Sequence, residues 1–187
     1  MTEKILYSET QQVSSFWKYF TCLLISIPVI VFTYIVLNRY DGNFITGWKT
    51  TDIILWLVTV FFASGIVFLV FITKLQIELT SSVLSFKYVP LMLKWKYREV
   101  ENIHKWEIIK FRPVVQYGGW GMRLGRDHIA YIMRGNAGIF FIFKNKEKLM
   151  IGTKNPELFS SKLREITKEG SELLSHKDDE KHFRPLP

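Results

Sequence analysis

"IILWLVTVFFASGIVFLVFITKLQIELT", Ile53 to Thr80, decides the fold because its periodicity changes part-way along. Ile53–Ile72 carries no charged side chain over 20 residues. At 1.5 Å per residue that stretch makes a helix about 30 Å long, the thickness of a bilayer's hydrocarbon core. From Lys74 onward the pattern alternates. Leu75, Ile77 and Leu79 fall on one side, and Lys74, Gln76, Glu78 and Thr80 on the other. A period of two marks a half-buried strand. The chain therefore divides at Thr73 into an oil-soluble helical part and a β-rich part.

Upstream, "FWKYFTCLLISIPVIVFTYIVL", Phe16 to Leu37, has one charge, Lys18, near its start. Both apolar blocks read as transmembrane helices. The first is too long for the apolar core of a signal peptide, and no small-x-small cleavage site follows it. Trp17, Tyr19, Tyr34 and Tyr40 lie near its ends and Trp48 just precedes the second block, where interfacial anchors belong. Pro28 is expected to kink the first helix, and Thr51 or Asp52 to cap the second. Ser64 and Gly65 offer a small-residue contact surface, or they simply face lipid. The linker Asn38–Asp52 is short, so the two spans form an antiparallel hairpin.

The net charge of +8 belongs to one part of the chain. Before Thr73, Lys4, Lys18, Arg39 and Lys49 balance Glu3, Glu9, Asp41 and Asp52; the remaining 21 basic residues face 13 acidic ones. Positive charge favours the cytoplasmic side, which places both termini and the β domain there, in the inner or cytoplasmic membrane. Cys22, the single cysteine, excludes an intrachain disulfide.

The alternation continues through "VLSFKYV", "LMLKWKYR", "HKWEIIKF", "HIAYIMR", "GIFFIF" and "LMIGT", with turns at Ser81-Ser82, "EVENI" and "KNKEK". "GIFFIF", apolar throughout, reads as a central strand. "NPELFSSKLREITKE" reads as a helix with Asn155 at the N-cap, Pro156 in the first turn, and Phe159, Leu163 and Ile166 on one face, stopping near Gly170. The expected architecture is α+β: N-terminal residues 1–15, spans 16–37 and 53–72 joined by an external loop 38–52, a small, mostly antiparallel β-barrel with a C-terminal amphipathic helix over 74–170, and a mobile tail 171–187.

"YGGWGMR", "AYIMRGNAG" and "IGTKNPE" before a terminal helix resemble bacterial two-helix membrane proteins of unknown function that carry a pleckstrin-homology-like domain. The likeness covers most of the chain after Lys74, and the helix pair fits it. It implies a bent seven-strand barrel closed by a C-terminal helix, and no enzymatic activity.

"YGGWGMRLG", Tyr117 to Gly125, holds four glycines. Their spacing matches neither the dinucleotide fingerprint nor the phosphate loop. Two readings fit. In one, Gly118, Gly119 and Gly121 allow positive φ where strands turn, and Trp120 lies on or plugs the barrel. In the other, glycine N–H groups form an anion nest flanked by Arg123, Arg126 and Arg134, with His128 nearby. Lys144, Lys146 and Lys148 of "KNKEK" either touch anionic headgroups or solubilise a hairpin tip. Lys94, Lys96 and Arg98 share a strand face with Met92, facing the membrane or guarding a strand edge.

Catalytic and metal chemistry find little support. Asp127 and His128 are adjacent in a strand-like run, so their side chains are expected to diverge. The four histidines show no metal-ligand spacing, and no ionisable residue lies deep in either span. No cofactor and no nucleic-acid partner is expected. The composition points to a membrane-anchored binding or scaffold module that meets membrane lipid, a protein partner or a second copy in a homo-oligomer. An accessory subunit of a transport or secretion complex is the alternative, and a membrane enzyme comes last.

Overall fold

A computed structural model describes residues 4–39, 49–125 and 127–167. The chain forms two compact units, Val13–Thr73 and Met1–Gln12 with Lys74–Pro187.

The first unit is a helix pair, α1 (Ser15–Arg39) and α2 (Thr50–Ile72). Both helices are long and apolar enough to cross a membrane, and neither apolar window is buried within the protein. The indole N–H of Trp56 donates to Thr33 Oγ1 at 3.0 Å, and the Lys18 ammonium lies 5.3 Å from the Phe71 ring centroid. Thr33 late in α1 thus meets Trp56 early in α2, and Lys18 early in α1 meets Phe71 late in α2, so the helices run antiparallel. Pro28 sits inside an unbroken α1. The expected N-cap position of α2 is corrected: the helix begins at Thr50, after Lys49, whose side chain makes no capping bond. Asp52 falls in the first turn, where its charge suits the positive end of the helix dipole. Trp17, Tyr19 and Tyr34 are exposed, whereas Tyr40, Trp48 and most of the linker lie outside the described residues.

The second unit contains two sheets. The first has the order β1-β2-β3-β4, with β1 Tyr7–Gln12, β2 Lys74–Leu79, β3 Val83–Val89 and β4 Lys96–Glu99. β1 belongs to residues 1–15, which the sequence left outside the β domain. It pairs antiparallel with β2, from Tyr7 opposite Leu79 to Gln12 opposite Lys74. A turn of 3-10 helix, Val100–Asn102, leads to β5 (Ile103–Lys110). The helix α3 (Pro113–Tyr117) follows. Then come β6 (Gly121–Leu124), β7 (Ile129–Ile132), β8 (Ala137–Phe143), β9 (Lys148–Gly152) and the terminal helix α4 (Pro156–Ile166). The second sheet has the order β5-β8-β9-β7-β6. All its pairs are antiparallel except β7 with β9.

The expected closed barrel is therefore corrected to two separate sheets. "LMLKWKYR" explains part of the difference. Only its end, from Lys96, forms a strand. Pro90 has no N–H for a ladder, and the Met92 N–H turns back to the Tyr88 carbonyl at 2.6 Å. The remaining β4 is four residues long, too short an edge to carry closure.

Leu75, Ile77, Leu79 and Phe86 of the first sheet and Ile139, Phe141, Leu149 and Ile151 of the second are all fully or nearly fully buried, and the Phe86 and Tyr131 rings meet between the sheets at 5.0 Å. Phe159 and Leu163 of α4 join them, as their i, i+4 spacing predicts. The far face of the second sheet has its own apolar cluster, Phe111, Ala130, Ile132 and Met150, with Ile109, Tyr117 and Phe140 against it. Burial on both faces accounts for "GIFFIF" being apolar throughout, and β8 does lie between β5 and β9. Asn155 makes no side-chain cap on α4; its own N–H donates to Thr153 Oγ1 at 3.1 Å.

Candidate functional site

The glycine-rich stretch covers the far face of the second sheet. Gly118 ends α3 with φ +67°, in the left-handed region that favours glycine. Its N–H bonds to the Val114 carbonyl at 3.1 Å, and that of Gly119 to the Pro113 carbonyl at 2.9 Å. α3 thus takes up the backbone donors of Gly118 and Gly119. Gly119 and Gly121 have φ of +123° and +120°, which makes the corner into β6. Trp120 is 38% exposed and is not among the buried core residues. Arg123 folds back on the same loop, its Nε donating to the Trp120 carbonyl at 3.1 Å.

Beyond β6 a polar chain forms. The Tyr117 hydroxyl and His128 Nε2 are 2.9 Å apart, and His128 Nδ1 lies 3.1 Å from Asp127 Oδ1. Asp127 Oδ2 is ion-paired with Lys148 Nζ. The expectation that Asp127 and His128 diverge is corrected. They occupy a bend before β7, not a strand, so neighbouring side chains can converge. The His128 ring is packed edge-on against Phe140 and Tyr117, with centroids 5.2 and 5.8 Å away. Gly125 makes room for it: a Cβ there would meet the ring at 2.4 Å. Burial pushes the Tyr117 phenol up to about 12, with the Asp127 charge adding to the effect. Hydrogen bonds from Lys148 and then His128 hold the Asp127 carboxyl below its ordinary value. Both ring nitrogens are engaged, so the chain clamps α3 and the glycine corner to the sheet.

The remaining basic residues divide by position. Arg134 is exposed just after β7 ends. Lys144 and Lys146 are exposed in the β8–β9 turn, where Lys146 takes φ +66°. β7 and β9 run parallel from Ile129 opposite Leu149, so Arg134 lies at one end of the sheet and the lysines at the other. Arg126 is outside the described residues.

No family model, curated protein or solved structure matches this chain.

A second polar cluster escaped the sequence reading. Glu9, on β1, is nearly buried. It accepts from the Tyr7 hydroxyl and from Thr153 Oγ1 at 2.5 Å each, and from the Lys154 N–H at 3.0 Å. These donors replace water around the carboxylate. Gln11 Nε2 donates to the Gly152 carbonyl at 2.7 Å. The only signal in "YSETQQ" is Tyr7, Glu9 and Gln11 at alternate positions, and two of those three are polar. Among the described residues no three His, Cys, Asp or Glu side chains converge to hold a metal.

Proposed function

We propose that this chain is an integral membrane protein, a helix hairpin that holds a non-enzymatic β module at the cytoplasmic face of the bilayer. There the module binds a protein partner or anionic headgroups. The β1–β2 ladder carries this reading. β1 ends at Gln12, three residues before α1, and β2 begins at Lys74, two residues after α2. Gln12 and Lys74 are direct partners, so the chain leaves the β unit and returns to it at one place. Two spans joined by a short linker satisfy that condition. An odd number of crossings would separate β1 from β2. The basic excess after Thr73 supports the cytoplasmic side. The pleckstrin-homology-like resemblance belongs to the same proposal, with the two-sheet arrangement in place of a closed barrel.

Extraction and topology test it together. The chain should stay with membranes in alkaline carbonate, and reporters fused at either end should both read cytoplasmic. A reporter inside the 40–48 linker should read external. Release by carbonate, or termini on opposite sides, refutes the reading.

One observation favours the accessory-subunit alternative. An open groove between α1 and α2 is lined by Cys22, Ser26, Val29, Val60, Ala63 and Ser64, and small side chains let another helix approach closely. If a foreign helix sits there, Ser64→Leu will abolish a crosslinked complex that Gly65→Leu leaves intact, since Gly65 faces open space. An unchanged crosslinking pattern in Ser64→Leu removes this alternative.

A further inference from the structure

We infer that the segment Leu91–Trp95 is a membrane-dipping loop, which seats the β unit on an anionic lipid surface by inserting Leu91 and Leu93 beside Lys94 and Lys96. This rests on the hairpin reading above.

Three observations carry it. The first is composition against exposure. "LMLKWK", Leu91–Lys96, contains two of the most exposed apolar side chains in the β unit, Leu91 at 64% and Leu93 at 74%. Lys94 and Lys96 are exposed and Trp95 partly exposed. Leucine tips with a tryptophan and lysines beside them have the composition of a lipid–water interface, where rings sit at headgroup level and ammonium groups reach the phosphates.

The second is register. Val89 pairs with Lys74, and Lys74 directly follows Thr73, the C-cap of α2. Pro90 therefore begins the loop at the end of the sheet where the chain passes to and from the helices. Gln12, the last residue of β1, is also opposite Lys74.

The third is continuity. A Cβ on Gly121 would lie 3.8 Å from the Tyr88 hydroxyl, so the start of β6 adjoins the same end of β3. That corner adds Trp120 and Met122, each 38% exposed. Apolar tips from two loops thus share one end of the unit.

The lysines of "KNKEK" lie elsewhere. Lys144 bonds through its N–H to the Asn102 carbonyl, and Glu147 pairs with Arg98 at 2.6 Å. Arg98 pairs with Leu84, at the opposite end of β3 from Val89. Five residue steps along a strand span about 17 Å. That is about twice the distance over which salt screens exposed charges under physiological conditions.

Spin-label accessibility in the full chain tests the inference. In a Cys22→Ser background, single cysteines replace Leu93, Phe62 in the middle of α2, and Asn145 in the distal turn. The proteins are labelled with a nitroxide and reconstituted into phosphatidylcholine vesicles with or without phosphatidylglycerol. Labels at 62 and 93 should collide preferentially with oxygen, the label at 145 with a water-soluble nickel chelate. The label at 93 should sit deeper when phosphatidylglycerol is present, and Lys94→Glu/Lys96→Glu should remove that difference. A lipid signal at 62 with a water signal at 93 overturns the dipping loop and leaves the hairpin standing. A water signal at 62 overturns both. A lipid signal at 145 defeats selective insertion, and equal depth at 93 in both vesicle types defeats the role of the lysines.

Discussion

Tyr7 stacks on Phe159 with ring centroids 4.6 Å apart and planes 3° from parallel. The contact joins a strand that precedes both helices to the helix that closes the β unit. Tyr7 is also held through Glu9 and Thr153. Tyr7→Ala should lower the unfolding free energy of the β unit by about 3 kcal/mol, the usual cost of truncating a buried aromatic. Denaturant unfolding of the full chain in detergent measures it. A loss below about 1 kcal/mol would show that β1 is dispensable.

Because Gln12 faces Lys74, the helices can be replaced by a turn. A chain with residues 4–12 joined to 74–167 through a short Asn-Gly-containing loop should be soluble, monomeric and cooperatively folded. Residues 74–167 alone should aggregate, since removing β1 exposes the β2 edge. Size-exclusion chromatography separates the outcomes. Equal behaviour of the two would contradict the role given to β1.

Gly125 and Gly138 both lack space for a Cβ, for different reasons. At 125 the obstacle is the His128 ring, 2.4 Å away; at 138 it is the Ile151 carbonyl oxygen, 2.6 Å away. A side chain can swing aside and a paired strand cannot. Gly125→Ala should cost about 1–2 kcal/mol and shift the His128 imidazole resonances, whereas Gly138→Ala should cost more and leave them in place. Thermal melting with histidine NMR reads both effects. The reverse order of cost would be inconsistent with the packing.

The clamp predicts a pH dependence at each end of the scale. Tyr117 has its pKa raised by burial to about 12. Its contribution is fully present below the unfolded value near 10 and is lost as pH rises from about 10 to 12. Tyr117→Phe should lessen this alkaline loss without abolishing it, because burial raises Tyr7 and Tyr88 too. Asp127 is lowered, so its contribution is present above about pH 4 and lost as pH falls through the folded value. Its side chain is 54% exposed, so Asp127→Asn should cost under about 1 kcal/mol near neutrality. Melting temperature against pH tests both signs.

Between the helices, the Trp56–Thr33 bond is a contact of modest worth. Trp56→Phe should weaken the helix pair by about 0.6 kcal/mol, the typical value for such bonds in membranes. Unfolding of the full chain in bicelles measures this, and a change above about 2 kcal/mol would mark Trp56 as a packing anchor.

The sequence by itself determined those elements whose stability signal is local. α1 and α2 follow from long uncharged runs. β2, β3, β5, β8 and β9 follow from alternation or continuous apolarity, and α4 from the spacing of Phe159 and Leu163. Only the tertiary structure decided what depends on partners distant in sequence. β1 has a polar sequence and exists because β2, beyond both helices, supplies its ladder. The alternation of Leu91–Trp95 promises a strand, but Pro90 and a tight turn deny it a neighbour. α3 and β6 are too short to leave a periodic signal. Asp127 and His128 meet because they lie in a bend, and Arg134 is separated from Lys144 by the length of a parallel strand pair. Periodicity records which face of an element is buried, and the fold alone selects the partner that buries it.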